Sequence, residues 1–320
     1  VDAAGRVLVQ EDIERLVPGN LRELATEVLS GDEPAAEAVK LLAVAGGEME
    51  LECLAKAMDV EPRWLRDNMI FGRARDLIAV TETSTGMICR LQHRGIGEAV
   101  GRTLSAAERR RLHDDCAAAM AASTDEADLE RQGEIARHLL CGKDPEGGVE
   151  RVREILMGIE PRQGEVLPLD TIQLALQHAA GQERTELLEM AGRMLGTRGR
   201  FDAATDMLLE AVNSGMPLRH GERTITELAE CLCLTGEAEE ASRIFDEHGE
   251  RLGLNKKGGK NSWGRNQLSL ARMHAYEGRF DKVAEHSEAA LSVARTTKDR
   301  SLEAYALQML GRSLLRSGQV

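Results

Sequence analysis

Residues 270–283 read LARMHAYEGRFDKV and decide the fold of the second half of the chain. The same pattern recurs in LEMAGRMLGTRGRFDAA (188–204), LAECLCLTGEAEEA (228–241) and LGRSLLRSG (310–318). The first three copies have a helix-forming run, a glycine and a second helix-forming run, and the last ends at its glycine. Glycine ends a helix readily because it adopts positive φ at no steric cost. The pattern therefore predicts pairs of helices joined by glycine turns.

A small residue stands five positions after each of the first three glycines, at Ala204, Ala241 and Val283. Such a residue lets the second helix pack closely against the first. These features resemble the tetratricopeptide repeat (TPR), although the turn glycines lie 37, 42 and 40 residues apart, against about 34 in the usual repeat. The resemblance implies a mainly α fold with a TPR-like α-α superhelical solenoid over residues 185–320, whose last repeat is truncated.

Composition excludes several classes of protein and site. The chain has two Trp, two Tyr and four Phe among 320 residues, which is typical of closely packed helices and opposes a β-sandwich or barrel. A net charge of −13 opposes broad binding to nucleic acid or to an anionic membrane. Six cysteines form no CxxC pair, so we expect reduced thiols and no metal site. With no long apolar run and no signal peptide, the sequence predicts a cytoplasmic protein.

The first third of the chain has a different pattern. Residues 34–44, 49–58 and 62–77 predict three helices, and residues 78–91 predict a hairpin with a glycine turn. Three helices and a hairpin indicate a winged helix. We therefore divide the chain into a linker or the end of an upstream ATPase module (1–31), a winged-helix domain with its following helices (32–122), degenerate helical repeats (123–184) and TPR repeats (185–320). Ser105 and Glu108 have the spacing of a capping box.

The order of these segments carries a second resemblance. RLQHRGIGEAV (90–100), LSAAERRRLH (104–113) and IARHLLCG (135–142) follow the winged helix and precede the long repeats. This order resembles the segment downstream of the ATPase in bacterial STAND proteins, the signal-transduction NTPases with numerous domains, including kinase-linked and LuxR-type regulators. The resemblance implies that ATP or ADP is bound elsewhere in the full-length protein. The chain itself lacks a GxSxG elbow and an HExxH motif, and we expect it to be non-catalytic and to hold no cofactor.

The STAND resemblance assigns a role to His93. In that family the histidine that closes the winged helix lies near the nucleotide phosphates, and His93 is the residue that fits. A histidine at a helix start has a ring N–H for a phosphate oxygen, close to the positive end of the helix dipole. The related pattern elsewhere is Met-His-Asp, whereas Gln92 and Arg94 flank His93 here. The alternative is a histidine that only packs the hairpin against the next helix.

The first helix of each pair should line the concave surface of a TPR solenoid. Counting back from the turn glycines predicts a groove that becomes basic toward the C-terminus, suited to a protein or an acidic peptide held by arginine forks and tyrosine hydroxyls. The alternative is that these arginines form ion pairs with acids of adjacent helices. The predicted groove residues are Glu186, Glu189, Arg193, Arg223, Glu230, Arg265, Arg272, Tyr276, Tyr305, Gln308, Arg312 and Arg316.

Three functions fit these patterns. The first is a regulatory segment in which the winged helix couples to a neighbouring ATPase domain in cis and the TPR groove receives a signal. The second is a passive TPR adaptor. The third is a DNA-binding regulator, suggested by the excess of arginine in residues 61–111 and by Arg66 and Arg73 on one helix face, but opposed by Asp67 and Asp76 beside them. The apolar side of the last helix, with Leu307, Leu310 and Leu314, also predicts self-association.

Overall fold

The computed structural model describes residues 29, 33–71, 77–84, 86–123, 128–158, 167–252 and 260–318. Its chain divides into two compact units, the first ending at His178 and the second beginning at Ala179. Both are built mainly from α-helices, so the predicted fold class is confirmed. Apart from residue 29, the predicted linker over residues 1–31 lies outside the described residues.

The first unit begins with helices and a small antiparallel sheet. Its sheet has the strand order β1-β3-β2. The predicted hairpin is present as β2 and β3. The third predicted helix ends at Phe71 in the structure, and Leu77 lies in the turn before β2. In chain order the elements are α1 (Glu33–Val44), β1 (Glu48–Glu50), α2 (Leu51–Ala57), α3 (Pro62–Phe71), β2 (Ile78–Thr83) and β3 (Gly86–Leu91).

Strand β1 corrects the sequence prediction, which placed a helix over residues 49–58. Glu48–Glu50 instead pairs antiparallel with β3, with Met49 opposite Cys89. Two glycines with positive φ, Gly46 and Gly47, turn the chain immediately before the strand. The alternation of exposed Glu48, buried Met49 and half-buried Glu50 has the period of a strand. The helix predicted over residues 49–58 therefore begins only at Leu51, after the strand.

The remaining helices of the first unit pack in sequence after the sheet. They are α4 (Arg94–Thr103), α5 (Ala106–Ala121), α6 (Leu129–Cys141), α7 (Pro145–Gly158) and α8 (Leu169–His178). Helix α1 contacts both α4 and α5, and α5 contacts α6. One apolar core therefore runs from the sheet into α5 and α6.

The start of α5 has the interactions of the predicted capping box. The Ser105 hydroxyl accepts from the backbone N–H of Glu108 at 3.2 Å. The carboxylate of Glu108 forms an ion pair with Lys40 of α1 at 2.6 Å. The hydrogen bond from Lys40 lowers the pKa of the Glu108 carboxyl group, and the backbone N–H of Ser105 also contributes to the lowered pKa. Ser105 therefore caps the helix, while Glu108 also connects α5 to α1.

The second unit consists of antiparallel helix pairs, which we call A and B helices. The A helices are α9 (Gly181–Thr197), α11 (Gly221–Thr235), α13 (Lys260–Tyr276) and α15 (Arg300–Ser317). The B helices are α10 (Phe201–Asn213), α12 (Ala238–Leu252) and α14 (Phe280–Thr297). Each of α9, α11 and α13 packs on the B helix that follows it, and α11 contacts α13 while α13 contacts α15. The TPR-like solenoid is formed as the repeated sequence predicts.

The glycine turns have the predicted backbone conformation. Gly199, Gly236, Gly278 and Gly318 have φ values of +76°, +94°, +74° and +71°. The small residues five positions after the first three glycines are fully buried between the A and B helices: Ala204, Ala241 and Val283 are 0%, 0% and 1% exposed. Both parts of the repeat prediction are confirmed.

Close contact between A and B helices depends on small residues on the A helix as well. A Cβ atom built on Gly192 would lie 2.6 Å from Cγ of Leu208 on α10 and 3.3 Å from the carbonyl oxygen of Ala204. Gly311 occupies the same position before its own turn glycine, and a Cβ atom there meets nothing within 4 Å. The two glycines therefore form a matched pair that separates packing from helix propensity.

We expect Gly192→Ala to destabilise the protein by about 1–3 kcal/mol, because the added methyl group overpacks the α9–α10 contact. Gly311→Ala should instead stabilise by up to about 1 kcal/mol through helix propensity alone. Urea unfolding of the two variants measures both effects. Equal changes of the same sign in the free energy of unfolding would show that Gly192 is not required for packing.

Two buried histidines join α5 to α6. The Nδ1 atoms of His113 and His138 lie 2.9 Å apart, and the residues are 5% and 0% exposed. Burial, helped by the positive charges of Arg137 and Arg109, lowers the pKa of His113 to about 4. Burial and the charge of Arg137 also lower the pKa of His138. Both rings are neutral at pH 7, and one Nδ1–H donates to the other Nδ1.

This pair predicts a loss of stability in mild acid. Histidine in the unfolded chain has a pKa of about 6.5, so between about pH 6.5 and 4 the unfolded chain binds protons that the folded unit excludes. The free energy of unfolding therefore falls as pH falls through this window. Unfolding followed by Trp64 fluorescence in a Trp263→Phe background reports on the first unit. We expect His113→Asn to flatten the pH dependence and His178→Ala, at an exposed site in the same unit, to leave it unchanged; an unaltered slope in His113→Asn would contradict this assignment.

Candidate functional site

A cavity of about 930 Å³ lies on the A-helix face of the second unit. Its walls are the A helices α11, α13 and α15, and we call it the A-helix cavity. The volume is at the upper end of the range for ligand-binding sites, about 300–1,000 Å³. Polar and apolar side chains share the lining, with Leu268, Leu302 and Met309 among the apolar ones.

The structure brings together most of the predicted groove residues. Six of the predicted residues are arginines or tyrosines of α13 and α15, and five of these line the A-helix cavity, namely Arg265, Arg272, Tyr276, Tyr305 and Arg312. Arg316 is exposed on the last turns of α15 and is not among the lining residues. Arg223, Glu230 and Gln308 also line the cavity. The predicted residues converge because they occupy the same few positions, counted from the turn glycine, on successive A helices.

The α11 wall of the A-helix cavity is acidic and internally paired. Glu222, Glu227 and Glu230 all line it. Glu227 accepts from Nε of Arg223 on the same helix at 2.7 Å. Nε of Arg193, on α9, lies 3.2 Å from the other oxygen of Glu227. One carboxylate thus lies between two guanidinium groups from consecutive A helices.

The α13 wall is linked to the α11 wall through Glu230. Nη1 of Arg272 donates to Glu230 Oε1 at 2.8 Å, and the Ser269 hydroxyl donates to the same oxygen at 3.1 Å. Burial raises the pKa of the Glu230 carboxyl group, while the adjacent Arg272 and Ser269 oppose that rise. The predicted alternative, pairing between adjacent helices, therefore holds for Arg272.

Arg265 has a weaker partner. Its guanidinium lies 3.8 Å from Asp299, whose other oxygen accepts from the backbone N–H of Leu302 at 3.0 Å and caps α15. The main contact of Asp299 is therefore the hydrogen bond that caps α15. The ion pair with Arg265 is long and exposed on the arginine side, so it contributes little energy.

Arg312 differs from the other arginines of the A-helix cavity. It is exposed on α15, and within the described part of the chain no acid forms an ion pair with it. Tyr276 and Tyr305, both more than half exposed, lie on the same walls. The C-terminal end of the cavity thus combines an uncompensated cation with aromatic and apolar surface.

Glu189 corrects the predicted groove. It is 1% exposed and does not face the cavity. Its carboxylate accepts from the Thr224 hydroxyl and from the backbone N–H groups of Arg219 and His220, at 2.5, 2.8 and 3.3 Å. The carboxylate thus supplies an acceptor for N–H groups that have no partner within α11, and its negative charge lies at the positive end of the helix dipole. Glu189 therefore fixes the start of one A helix to the body of the preceding one.

The first unit places His93 in an exposed position between β3 and α4. It is the N-cap residue of α4, with extended backbone angles and no capping bond from its side chain. Within the described residues its ring has no hydrogen-bond partner. The geometry leaves the imidazole accessible, and its nucleotide-sensing role stays a prediction.

Of the two arginines considered for DNA binding, the structure describes only Arg66, and this residue already forms an ion pair with an acid. Nη2 of Arg66 lies 2.9 Å from Asp67 Oδ1, its neighbour on α3. Arg73 and Asp76 lie outside the described residues. Neutralisation of Arg66 weakens the case for phosphate contacts by this helix.

The last helix has the apolar surface that suggested self-association. Leu307 is exposed, and Leu310 and Leu314 are partly buried. Leu315 on the same helix is exposed as well. Self-association through this helix stays a prediction.

Three further features of the described residues bear on the kinds of site they can form. No cluster of three or more histidine, cysteine, aspartate or glutamate side chains suited to a metal ion occurs there. Their six cysteines are free thiols, and all but the half-buried Cys141 are buried. In the same residues, none of the helices combines the length and apolarity needed to cross a membrane.

Comparison with known proteins gives a structural likeness and no family. No family model and no curated protein matches the chain. Among solved structures, the chain is similar to a Signal Transduction ATPase with Numerous Domains (STAND) protein with a tetratricopeptide repeat sensor from Pyrococcus horikoshii. The two are 17% identical with a TM-score of 0.38, and the match covers 98% of this chain and 44% of that one. The chain thus spans less than half the length of that protein, and a likeness at this TM-score adds no support for a function.

Proposed function

We propose that this chain is the non-catalytic regulatory segment of a bacterial, cytoplasmic STAND-type signalling protein, and that its second unit binds a protein partner in the A-helix cavity. The observation that carries the proposal is the convergence of five groove residues, predicted from repeat position alone, on one cavity. A concave cavity of this volume is the usual form of a binding site, and the charged residues in its lining suit a polar partner.

The chemistry of the cavity favours binding over catalysis. Histidine, cysteine and lysine are absent from the described residues that line it. Its half-buried carboxylate, Glu230, is held by Arg272 and Ser269 and is not positioned beside an activated nucleophile. Paired arginines and exposed tyrosines recognise a ligand surface without reacting with it. An ATPase activity would belong to another domain of the full-length protein.

Site-specific cross-linking tests partner binding. We expect a photoreactive p-benzoylphenylalanine at Gln308, inside the cavity, to capture a specific protein in cells. The same residue at Glu288, exposed on the B helix α14, serves as a matched control and should not capture it. Equal capture at both positions, or none at Gln308, would show that the partner does not enter the cavity.

The first unit supports coupling to an ATPase domain in cis. Its order of elements, helix, strand, helix, helix, strand, strand, and its sheet order β1-β3-β2 are those of a winged helix, and we assign it to that class. In this assignment His93 lies at the junction of the hairpin and α4, where its free ring faces out of the unit. A neighbouring nucleotide phosphate is the acceptor that suits an imidazole N–H at a helix start.

In the full-length protein we expect His93→Ala to change nucleotide retention or basal output severalfold without unfolding the winged helix. His178→Ala, at an exposed position of the same unit, is the control. Retention of labelled nucleotide and the thermal unfolding midpoint are measured together. If nucleotide exchange and output stay at the wild-type level in His93→Ala, the chain is better described as a passive TPR adaptor.

A further inference from the structure

The A helices carry a row of charged residues at one repeat position. The sixth residue before each turn glycine is Arg193, Glu230, Arg272 and Arg312 on α9, α11, α13 and α15. We call these four residues the sixth-position row. The last three line the A-helix cavity. The charge changes sign at each step except the last, where two arginines are neighbours.

The distance between two members of the sixth-position row shows how far their side chains reach. Arg272 and Glu230 belong to consecutive A helices, and their charged atoms lie 2.8 Å apart. A side chain at this position can therefore reach the next A helix, although Arg193 pairs with Glu227 of α11 and not with Glu230. Helices α13 and α15 are also in contact, and Arg312 lies one repeat after Arg272, as Arg272 lies one repeat after Glu230.

The place next to Arg312 lacks its anion. Arg272 already donates to Glu230, and the nearest acid of α15 in the cavity, Asp299, caps that helix and faces Arg265. Among the described lining residues, the other acids, Glu222 and Glu227, belong to α11. Arg272 and Arg312 thus share the cavity lining with Glu230, the one carboxylate of the row, and these three residues together have a formal charge of one positive unit.

We propose that Arg272 and Arg312 form a carboxylate-binding subsite, filled by an acidic side chain of the peptide partner that the A-helix cavity receives. The proposal rests on the proposed function and specifies the chemistry of its ligand. The incoming carboxylate would lie between Arg272 and Arg312 in the row, as Glu230 lies between Arg193 and Arg272 one repeat earlier.

A carboxylate suits this place better than a phosphate. The remaining local charge matches a monoanion, whereas a phosphate dianion would lie close to the carboxylate of Glu230 and be repelled by it. The guanidinium groups also offer paired N–H donors in the planar geometry that a carboxylate accepts. The apolar neighbours Leu268 and Met309 suit leucine-like residues on either side of the acid.

Nuclear magnetic resonance of the arginine Nε–Hε groups in the full 320-residue chain tests the proposal. The probe is the capped tripeptide acetyl-Leu-Glu-Leu-amide, with acetyl-Leu-Gln-Leu-amide and acetyl-Leu-phosphoserine-Leu-amide as matched comparisons. We expect the glutamate peptide to shift the Arg272 and Arg312 signals saturably and the glutamine peptide to bind about tenfold or more weakly. Arg312→Gln should weaken binding of the glutamate peptide to a similar degree, and Arg312→Lys should retain part of it.

Arg316→Gln is the matched control, since Arg316 is exposed on the same helix but does not line the cavity. It should leave the binding of the glutamate peptide unchanged. Absence of a saturable shift with the glutamate peptide, equal binding of the glutamine peptide, tighter binding of the phosphoserine peptide, or an equal loss in Arg316→Gln would each overturn the proposal. The cross-linking result at Gln308 is independent of these outcomes, so capture there without an Arg312 effect would retain the binding groove and reject the carboxylate subsite.

Discussion

Close packing of each A helix against its B helix is the constraint on which the second unit depends. The residue seven positions before the turn glycine lies in this contact, as Gly192, Ala229 and Ala271 show: the two alanines are fully buried, and Gly192 has no room for a Cβ atom. The next residue along an α-helix points about 100° away. Burial of the seventh position therefore sends the sixth position toward the A-helix face. The charged row of the cavity is thus a consequence of the packing that holds the repeats together.

Repeat position predicted a large part of the cavity lining, because a single register relates all four A helices. The positive φ of the turn glycines fixed that register, and five residues chosen by counting from them line one cavity. Counting failed at Glu189, which is turned into the junction with α11 by three donors at the start of that helix. Those donors belong to residues 30–35 positions later, so the local pattern held no signal for them.

In the first unit, too, elements formed by neighbouring residues were predicted, whereas contacts between distant residues were not. The hairpin was predictable because its two strands and glycine turn are adjacent in sequence. Strand β1 was missed, since its partner β3 lies about forty residues away and three residues are too few for a periodicity. The alternation of Glu48, Met49 and Glu50 was the one available sign. Likewise, His113 gave no indication that its ring meets His138 across two helices.

Electrostatics in the A-helix cavity is a matter of arrangement more than of total charge. The chain carries −13 overall, yet three of the four residues in the sixth-position row are arginines, with Glu230 between the first two. An ion pair that is partly exposed, such as Arg272 with Glu230, adds little to stability because desolvation offsets much of the attraction. The same offset applies to a ligand carboxylate, so charge alone gives modest affinity and mainly selects which ligands fit. Tight binding then requires burial of apolar surface, and Tyr276, Tyr305 and Met309 beside the arginines supply it. In the proposed binding mode, recognition therefore divides between two sets of residues: the arginines select the sign of the ligand's charge, and the aromatic and apolar side chains determine how strongly the ligand is held.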